Sequence, residues 1–329
     1  MSKKRLKLGL ALGGGAARGL IHIGVLKVLH KHHIKIDYIA GTSMGAVIGA
    51  AYAGGMMPND LEEVAKTTDW KKIIDFTIPK AGLLKGDLIQ KKINELVKGK
   101  DFEDLDIPFG AVAYNLTKRQ RVVFTKGHLA RALRASISLP GIFTPTVIDR
   151  DHYIDGVVTD PTPFDVVQDM GADIVIAVDL YNKEKSKPAK PVEGPTVEKS
   201  SLFDDLRHKF IVVELLNIKN YLFPERWPKF IRRILKWAFD KILYPARIIR
   251  ILSGRQLPEI TQVMYASIDI LSNSYANERM KNADVDFKIV PKIQDIDWAD
   301  FDQAEKFIQI GEEAMKKEIS RLKKKLKLS

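Results

Sequence analysis

The chain has 329 residues, no cysteine and a formal net charge of +12. Its 45% hydrophobic and 29% charged residues are typical of a globular protein with a sizeable core, which excludes general disorder. The lack of cysteine excludes disulfides, thiolate metal sites and a cysteine nucleophile, and it fits a reducing compartment. The positive charge favours an anionic partner, either nucleic acid or a membrane surface.

The N-terminal region alternates a strand, a glycine-rich turn and a helix. The hydrophobic pattern predicts a strand over Leu6–Leu12 and a helix over Ala17–Lys31, with the glycines of Gly13–Gly19 between them. A signal peptide is an alternative interpretation, but the apolar run is short and passes straight into the glycines. No uncharged apolar run approaches the roughly 18 residues that span a bilayer, so we expect no membrane-spanning segment.

The next strand and helix enclose a candidate nucleophile. A strand over Ile36–Ile39 and a helix over Met44–Tyr52 flank the pentapeptide GTSMG at 41–45. This G-x-S-x-G pattern describes a sharp strand-to-helix turn whose small residues permit the bend and whose serine is exposed. Ser43 is therefore a candidate nucleophile, with an ordinary glycine-rich turn as the alternative.

Strands and helices continue to alternate as far as Asp179, which predicts an α/β core. Helices are expected at Asn59–Thr68, with Asn59 as its cap, and at Gly86–Val97, Leu129–Ala135 and Pro163–Met170. Strands are expected at Pro108–Tyr114, Arg121–Phe124 and Ile174–Val178, with a hairpin of Val147–Ile148 and His152–Ile154 that Asp155-Gly156 ends. A helix at Glu259–Arg279, a strand at Val285–Val290 and a helix at Phe301–Leu322 indicate that the same domain resumes after residue 256.

The glycine run Gly13–Gly19 lies where a strand meets a helix N-terminus. Free backbone N–H groups and the helix dipole favour an anion there, either a phosphate or an oxyanion. The glycine spacing does not match the dinucleotide fingerprint, although Asp37 lies about where a ribose-binding acid would be expected. A P-loop is excluded because no Gly-Lys-Ser/Thr follows, and a tight turn without a ligand stays open.

A serine nucleophile needs a base. A hydrolase triad with this turn places an acid and then a histidine downstream, but of the seven histidines only His208 follows the strongest acid candidate, Asp155. The triad is therefore a poor interpretation. An aspartate can itself accept the serine proton, which requires only a dyad. Asp155 before Gly156 offers this carboxylate, although an Asp-Gly pair alone is more often a hairpin turn.

Four motifs in this order resemble the bacterial patatin-like phospholipase family. They are GGGAARG at 13–19 continuing into LIHIGVL, GTSMG at 41–45, RASISLPGIFTP at 134–145 and YIDGVVTDPTPFDVVQDMGADIVIAVDL at 153–180. The section from Leu257 is similar to the C-terminal part of the family. The resemblance implies a three-layer α/β/α sandwich with a mainly parallel central sheet, and acyl-ester hydrolysis by a Ser-Asp dyad.

The resemblance also implies the role of each site residue. Ser43 attacks the lipid carbonyl, and Asp155 takes its proton and later activates water. The glycine-run amides of Gly13, Gly14 and Gly15 form the oxyanion hole, with Gly14 and Gly15 as the best donors. No metal or organic cofactor is implied.

Further residues support this predicted site. Gly41, Gly45 and Gly156 allow close backbone approach, and Arg18 either holds the loop, attracts an anionic head group or forms a structural salt bridge. The sequence departs from the family pattern at Ala16, where glycine is usual, and at Val157, where a small residue is usual. A methyl at Ala16 is expected to be tolerated if φ is negative, whereas Val157 bears on rate and substrate.

Residues 182–256 read as a linker followed by a basic helical insertion. Asn217–Gly254 contains nine Lys or Arg residues and only two acidic ones, and the basic residues alternate with bulky apolar residues. This is the composition of an interfacial membrane element. Its predicted membrane contacts are Trp227, Phe230, Arg232, Arg233, Lys236 and Trp237. A helical cap or a homodimer contact is the alternative, and nucleic acid is disfavoured because no recognised binding motif is present.

We therefore expect a serine acyl-ester hydrolase that acts on phospholipid or lysophospholipid. It would be cytoplasmic, either free or peripheral on the inner face of the cell membrane, with an anionic membrane surface as its partner. A soluble esterase or acyl-thioesterase and a non-enzymatic lipid-binding or regulatory protein are the alternatives. The oligomeric state stays open.

Overall fold

The computed structural model describes residues 5–73, 75, 82–181, 259–293 and 299–328. The predicted linker and basic insertion, with all the predicted membrane contacts and His208, lie outside the described residues. The strands are β1 (Leu8–Leu12), β2 (Tyr38–Thr42), β3 (Gly82–Leu84), β4 (Phe109–Asn115), β5 (Gln120–Phe124), β6 (Gly141–Phe143), β7 (Thr146–Ile148), β8 (Asp151–Asp155), β9 (Ile174–Val178) and β10 (Phe287–Ile289).

The helices alternate with these strands along the chain. They are α1 (Ile21–Lys31), α2 (Met44–Ala53), α3 (Pro58–Thr67), α4 (Asp87–Leu96), α5 (Leu129–Ser136), α6 (Phe164–Asp169), α7 (Glu259–Lys281) and α8 (Ala304–Leu326). Short 3-10 turns precede α1, at Ala16–Leu20, and follow β8, at Gly156–Val158.

In the part of the chain that the structure describes, eight strands form one mixed sheet. Its order is β10-β9-β1-β2-β4-β8-β7, and β5 pairs with β4. The pairs from β10 to β4 are parallel, whereas β5, β7 and β8 pair antiparallel. Every residue of β1 and β9 is buried, as expected for strands covered on both faces. A second, two-stranded sheet joins β3 and β6.

Side chains alternate between the two faces of the sheet and build two cores. Leu10, Ile39 and Ile176 point to a large cluster that includes residues of α1, α2, α3 and α8. Ala40 and Val175 point to the opposite cluster, with α6 and Met280 of α7. The expectation of a three-layer α/β/α sandwich with a mainly parallel central sheet is confirmed.

The described C-terminal elements belong to the same layers as the N-terminal ones. β10 pairs with β9, and α8 packs along α1 so closely that a Cβ on Gly24 would lie 1.9 Å from the Ile308 carbonyl oxygen. Residues on both sides of 182–258 therefore contribute to one sheet and one core.

Two local expectations are corrected. The helix predicted from Ala17 begins instead as a 3-10 turn, and the α-helix starts at Ile21. Asn59 is not the cap of α3: Met57 holds that position, and Pro58 follows as the first helical residue, where its missing N–H is not needed. The predicted hairpin is confirmed as β7 and β8: it turns at Asp149 and Arg150, both with positive φ, and Asp155 ends β8 rather than forming a hairpin turn.

Candidate active site

The pairing register of β4 brings the ends of two strands together. Thr42, the last residue of β2, lies opposite Val112. Asp155, the last residue of β8, lies opposite Ala113. Because β2 is parallel to β4 and β8 is antiparallel to it, their carboxyl ends meet at consecutive positions on β4. Ser43, which follows Thr42, is thereby placed beside Asp155.

Ser43 occupies a strained turn between β2 and α2. Its backbone has φ 55° and ψ −125°, a region that non-glycine residues rarely adopt and that costs about 1–3 kcal/mol. The Ser43 Oγ donates to Asp155 Oδ2 over 2.7 Å. The Ser43 N–H donates to Ser136 Oγ at 2.9 Å, and that hydroxyl donates to the Val112 carbonyl at 2.6 Å. These bonds hold the strained turn in place.

Close backbone contacts explain three of the predicted supporting glycines. A Cβ on Gly45 would lie 2.2 Å from the Leu12 carbonyl oxygen, and one on Gly41 would lie 2.5 Å from the backbone of Ala46. A Cβ on Gly156 would lie 2.5 Å from the Val112 carbonyl oxygen. Larger residues would push α2 away from β1, or the turn after β8 away from β4.

The Asp155 carboxylate is almost completely buried, at 1% exposure. Burial raises the pKa of Asp155 to about 7, although hydrogen bonds from Ser43 and from the Val157 N–H, at 2.9 Å, act in the opposite direction. Val157 is itself buried against Tyr181 and Ala276, so its larger side chain is accommodated by packing. A carboxyl group with a pKa near neutrality can both accept and return a proton.

The glycine run lies next to the serine, but two of its predicted oxyanion donors are already engaged. The Gly13 N–H donates to the Val178 carbonyl at 3.0 Å and the Gly14 N–H to the Pro161 carbonyl at 2.9 Å. In this arrangement neither amide is free to donate to an oxyanion, so the structure contradicts the expectation for Gly13 and Gly14. Among the described residues, the amides of Gly15 and Ala16 donate to no backbone acceptor.

The methyl of Ala16 was expected to be tolerated if the φ of this residue were negative, and the structure contradicts this condition. The φ of Ala16 is +49°, in the left-handed region, where an L-residue costs about 1–2 kcal/mol. The strain lies at the start of the 3-10 turn, directly after Gly15.

His22 was not among the predicted site residues, yet it holds the glycine run. Its imidazole is fully buried, and Nε2 lies 2.7 Å from the Gly13 carbonyl oxygen. Burial lowers the pKa of His22 to about 4, so the ring is neutral and Nε2–H is the donor. The sequence feature that could have indicated this role is the position of His22 on the inner face of the helix that follows the glycine run.

Arg18 is buried, at 4% exposure, and acts inside the fold. Its guanidinium lies 3.2 Å from Asp269 on α7, and Nε lies 3.4 Å from the Gly15 carbonyl. The guanidinium also lies over the Tyr181 ring, 5.6 Å from the centroid. Of the predicted roles for Arg18, the structure shows the salt bridge and the contact with the loop.

A second buried arginine lies in the RASIS sequence at 134–138 and supports Asp155. The motif alone predicts no role for it. Arg134, at 3% exposure, donates to the carbonyls of Lys85, Gly86 and Thr144 and to Ser138 Oγ. Burial lowers its pKa to about 10. The Ser138 carbonyl in turn accepts the Asp155 N–H at 2.9 Å.

Within the described ranges, the hydrogen bonds of Ser43 and Asp155 involve no histidine. Across the same ranges, no three His, Asp or Glu side chains are grouped as metal ligands would be. None of the helices that the structure describes is both long enough and apolar enough to span a bilayer.

Comparisons with known proteins cover this site. The patatin-like phospholipase family model matches residues 10–167, which include the glycine run, Ser43 and Asp155. An uncharacterised NTE family protein of Mycobacterium bovis is 37% identical over 190 residues, which cover 57% of this chain and 52% of that protein. Patatin-like phospholipase domain-containing protein 7 of Rattus norvegicus is 34% identical over 187 residues, which cover 54% of this chain and 14% of that protein.

The solved structure of VipD from Legionella pneumophila has a similar fold, with a TM-score of 0.54 at 12% identity; the match covers 97% of this chain and 67% of VipD. The chain spans about half the length of the mycobacterial relative and a small part of the rat protein. The family model and the two relatives agree, and residues 10–167 of the chain belong to the patatin-like phospholipase family.

Proposed function

We propose that this protein hydrolyses acyl esters of phospholipid or lysophospholipid, with Ser43 as the nucleophile and Asp155 as the base. The observation that carries the proposal is the 2.7 Å contact between Ser43 Oγ and Asp155 Oδ2. It lies at the carboxyl ends of two strands, and the family to which residues 10–167 belong is named for phospholipase activity.

The first half of the reaction acylates the serine. Ser43 Oγ attacks the ester carbonyl carbon while its proton passes to Asp155 Oδ2, so the carbonyl oxygen becomes an oxyanion. The protonated Asp155 then gives this proton to the leaving alcohol as the carbon–oxygen bond breaks. In the second half, water attacks the acyl carbon while Asp155 takes one of its protons. Asp155 then returns this proton to Ser43 Oγ as the bond between the serine and the acyl group breaks and the fatty acid leaves.

Backbone amides beside Ser43 stabilise the oxyanion in this proposal. The amides of Gly15 and Ala16 make no backbone bond within the described residues, and the Met44 N–H is in the first turn of α2, where helix N–H groups have no partner in the helix. The positive end of the α2 dipole also favours negative charge at Ser43. One such donor typically contributes a factor of about 100 to 1,000 in rate.

We also propose that residues 217–254 bring the site to an anionic membrane surface. The support comes from the sequence alone: an excess of Lys and Arg among Trp, Phe and Ile residues. Wild type and a protein that lacks 217–254 should be compared for binding to vesicles of anionic and of neutral lipid. Selective loss of anionic binding supports the proposal, whereas unchanged binding contradicts it and favours a cap.

The hydrolase proposal is tested by labelling with a fluorophosphonate, mapping the labelled peptide and measuring fatty-acid release from phospholipid and lysophospholipid. Wild type, Ser43→Ala and Asp155→Asn are compared, with Asp151→Asn on the same strand as the matched control. We expect the label on Ser43, release by wild type and Asp151→Asn, and none by the other two.

Labelling that persists in Ser43→Ala would contradict the nucleophile. Release by Asp155→Asn at the wild-type rate would contradict the base but not the nucleophile. Turnover only of soluble short-chain esters or thioesters would favour the esterase alternative, and vesicle binding without turnover would favour a lipid-binding protein.

A further inference from the structure

Tyr181 lies just beyond β9, at the same edge of the sheet as Ser43. The residue is 6% exposed and packs with Val157, Leu139 and Ala276. Its backbone N–H donates to Asp179 Oδ1 at 3.0 Å, and the Arg18 guanidinium covers one face of its ring. Both contacts fix the backbone and ring, so the hydroxyl has a defined position.

Gly14 defines the space between this hydroxyl and the serine. A Cβ built on Gly14 would lie 3.2 Å from Ser43 Cβ and 3.4 Å from Tyr181 Oη. Ser43 Cβ and the Tyr181 hydroxyl are therefore both close to Gly14 and lie within about 7 Å of each other. The oxyanion would form two bonds away from Ser43 Oγ, so a hydroxyl at this separation is within reach of it.

The Tyr181 hydroxyl is a neutral donor. Burial raises its pKa above the ordinary value for tyrosine, and the nearby carboxylates of Asp155, Asp269 and Asp179 raise it further, against the effect of Arg18. The phenol therefore keeps its proton at any pH at which the enzyme would work. Within the described residues, no hydrogen bond of this hydroxyl is formed.

The glycine run offers fewer donors than its sequence indicates, because the Gly13 and Gly14 amides donate to Val178 and Pro161. We propose that Tyr181 is a further catalytic residue, whose hydroxyl donates a hydrogen bond to the oxyanion that forms beside Gly14 during attack by Ser43. This inference rests on the hydrolase function proposed above. It gives Arg18 a positioning role, since its guanidinium supports the Tyr181 ring.

Tyr181→Phe removes only the hydroxyl oxygen and keeps the buried ring, so the fold is retained. Tyr52→Phe, a half-buried tyrosine on α2, is the matched control. Steady-state kinetics on a soluble p-nitrophenyl ester should be measured with inhibition by a trifluoromethyl ketone, to which Ser43 adds to form an oxyanion. The corresponding methyl ketone, which adds poorly, reports ground-state binding.

We expect Tyr181→Phe to lower kcat about tenfold to a hundredfold with KM unchanged. The Ki of the trifluoromethyl ketone should rise by the same factor, while that of the methyl ketone and the melting temperature stay as in wild type. A kcat and trifluoromethyl ketone Ki within twofold of wild type would overturn the inference, as would a change in KM alone. If wild type shows no Ser43-dependent turnover at all, the hydrolase proposal fails and this inference fails with it.

Gly14→Ala gives a second measurement at the same place. The φ of Gly14 is not in the left-handed region, so alanine is compatible with the backbone, and its methyl would occupy the space between Ser43 and Tyr181. We expect the folded variant to lose turnover and trifluoromethyl ketone binding together. Turnover at the wild-type rate would show that the substrate does not use this space, and would overturn the assignment of Tyr181.

Discussion

His22 Nε2 lies 2.7 Å from the carbonyl oxygen of Gly13, and the imidazole that makes this contact is fully buried. The bond holds the glycine run from the side of α1. His22→Leu leaves the Gly13 carbonyl without this donor, so we expect about a tenfold loss in kcat/KM. His22→Gln places an amide N–H near the same position and should retain most activity. Steady-state kinetics check this pair, with exposed His30→Gln as the control, and equal loss in the Leu and Gln variants would contradict the role of the donor.

His22 also predicts a dependence of stability on pH. Its pKa is lowered from 6.5 to about 4 in the folded protein, so the unfolded chain binds more protons between these values. The stabilising contribution of the neutral ring is present above pH 6.5 and is lost as the pH falls towards 4. His22→Gln removes this titration. In urea unfolding at pH 5 and pH 7.5, the variant should therefore lose less stability than wild type on acidification, and an equal loss would contradict the prediction.

Asp155 predicts the pH dependence of activity. The carboxylate must be ionised to take the Ser43 proton, and burial raises its pKa to about 7. We therefore expect kcat/KM to rise with pH, to reach half its maximum near pH 7 and to level off above it. The measurement is kcat/KM on a soluble ester from pH 5 to pH 9. A profile already flat from pH 5 would contradict a base with this pKa.

The same carboxylate should make the folded protein less stable as the pH rises. The pKa is raised from 3.8 to about 7, so folding favours the protonated form and this stabilising contribution is lost between these pH values. Asp155→Asn cannot ionise, and its amide can satisfy both Ser43 and the Val157 N–H. Its free energy of unfolding should exceed that of wild type by up to about 4 kcal/mol at pH 8, with no difference below pH 4.

The measurement is urea unfolding of the wild type and of Asp155→Asn at pH 8 and below pH 4. Asp151→Asn is the control, because Lys118 and Asn115 lower the pKa of Asp151 and its replacement should not stabilise the protein at high pH. The other buried carboxylates, such as Asp160, are present in both proteins and cancel in the difference. No gain for Asp155→Asn at pH 8 would contradict the pKa of about 7.

The serine turn could be predicted from sequence because all of its determinants are local. An apolar strand, two glycines and a small-residue helix lie within a short stretch around Ser43. Its partner Asp155 is only a candidate base until the family resemblance assigns its role, because Ser43 and Asp155 are 112 residues apart. Their contact depends on the pairing of β2 and β8 with adjacent residues of β4, which no periodicity of the sequence reveals.

The details of the glycine run could not be predicted for the same reason. The partners of the Gly13 and Gly14 amides, Val178 and Pro161, come from distant segments. The positive φ of Ala16 depends on how the chain leaves β1, and Tyr181 reaches Gly14 only because β9 lies beside β1 in the sheet. The glycine pattern therefore predicts where an anion would bind, but not which groups donate hydrogen bonds to it.

Ala16→Gly should stabilise the protein. Glycine has no penalty at φ +49°, and the relief of about 1–2 kcal/mol exceeds the added flexibility of the unfolded chain, so we expect a net gain of about 0.5–1 kcal/mol. Ala17→Gly, in the same turn but without a positive φ, is the control and should lose about 1 kcal/mol. Thermal unfolding compares the two, and a loss of stability in both would contradict strain at Ala16.

Gly45→Ala should disrupt the site by moving α2. The new Cβ would lie 2.2 Å from the Leu12 carbonyl oxygen and 2.5 Å from that of Gly13, and neither backbone atom can move without shifting β1. We expect a loss of about 1–3 kcal/mol in stability and about a hundredfold in kcat, since a displacement of 1 Å at Ser43 is enough for such a loss. Gly54→Ala at the end of the same helix, where the nearest atom would lie 3.3 Å away, should leave both unchanged. Thermal unfolding and kinetics of the two variants test this, and wild-type values for Gly45→Ala would show that α2 can move on β1 without displacing the serine.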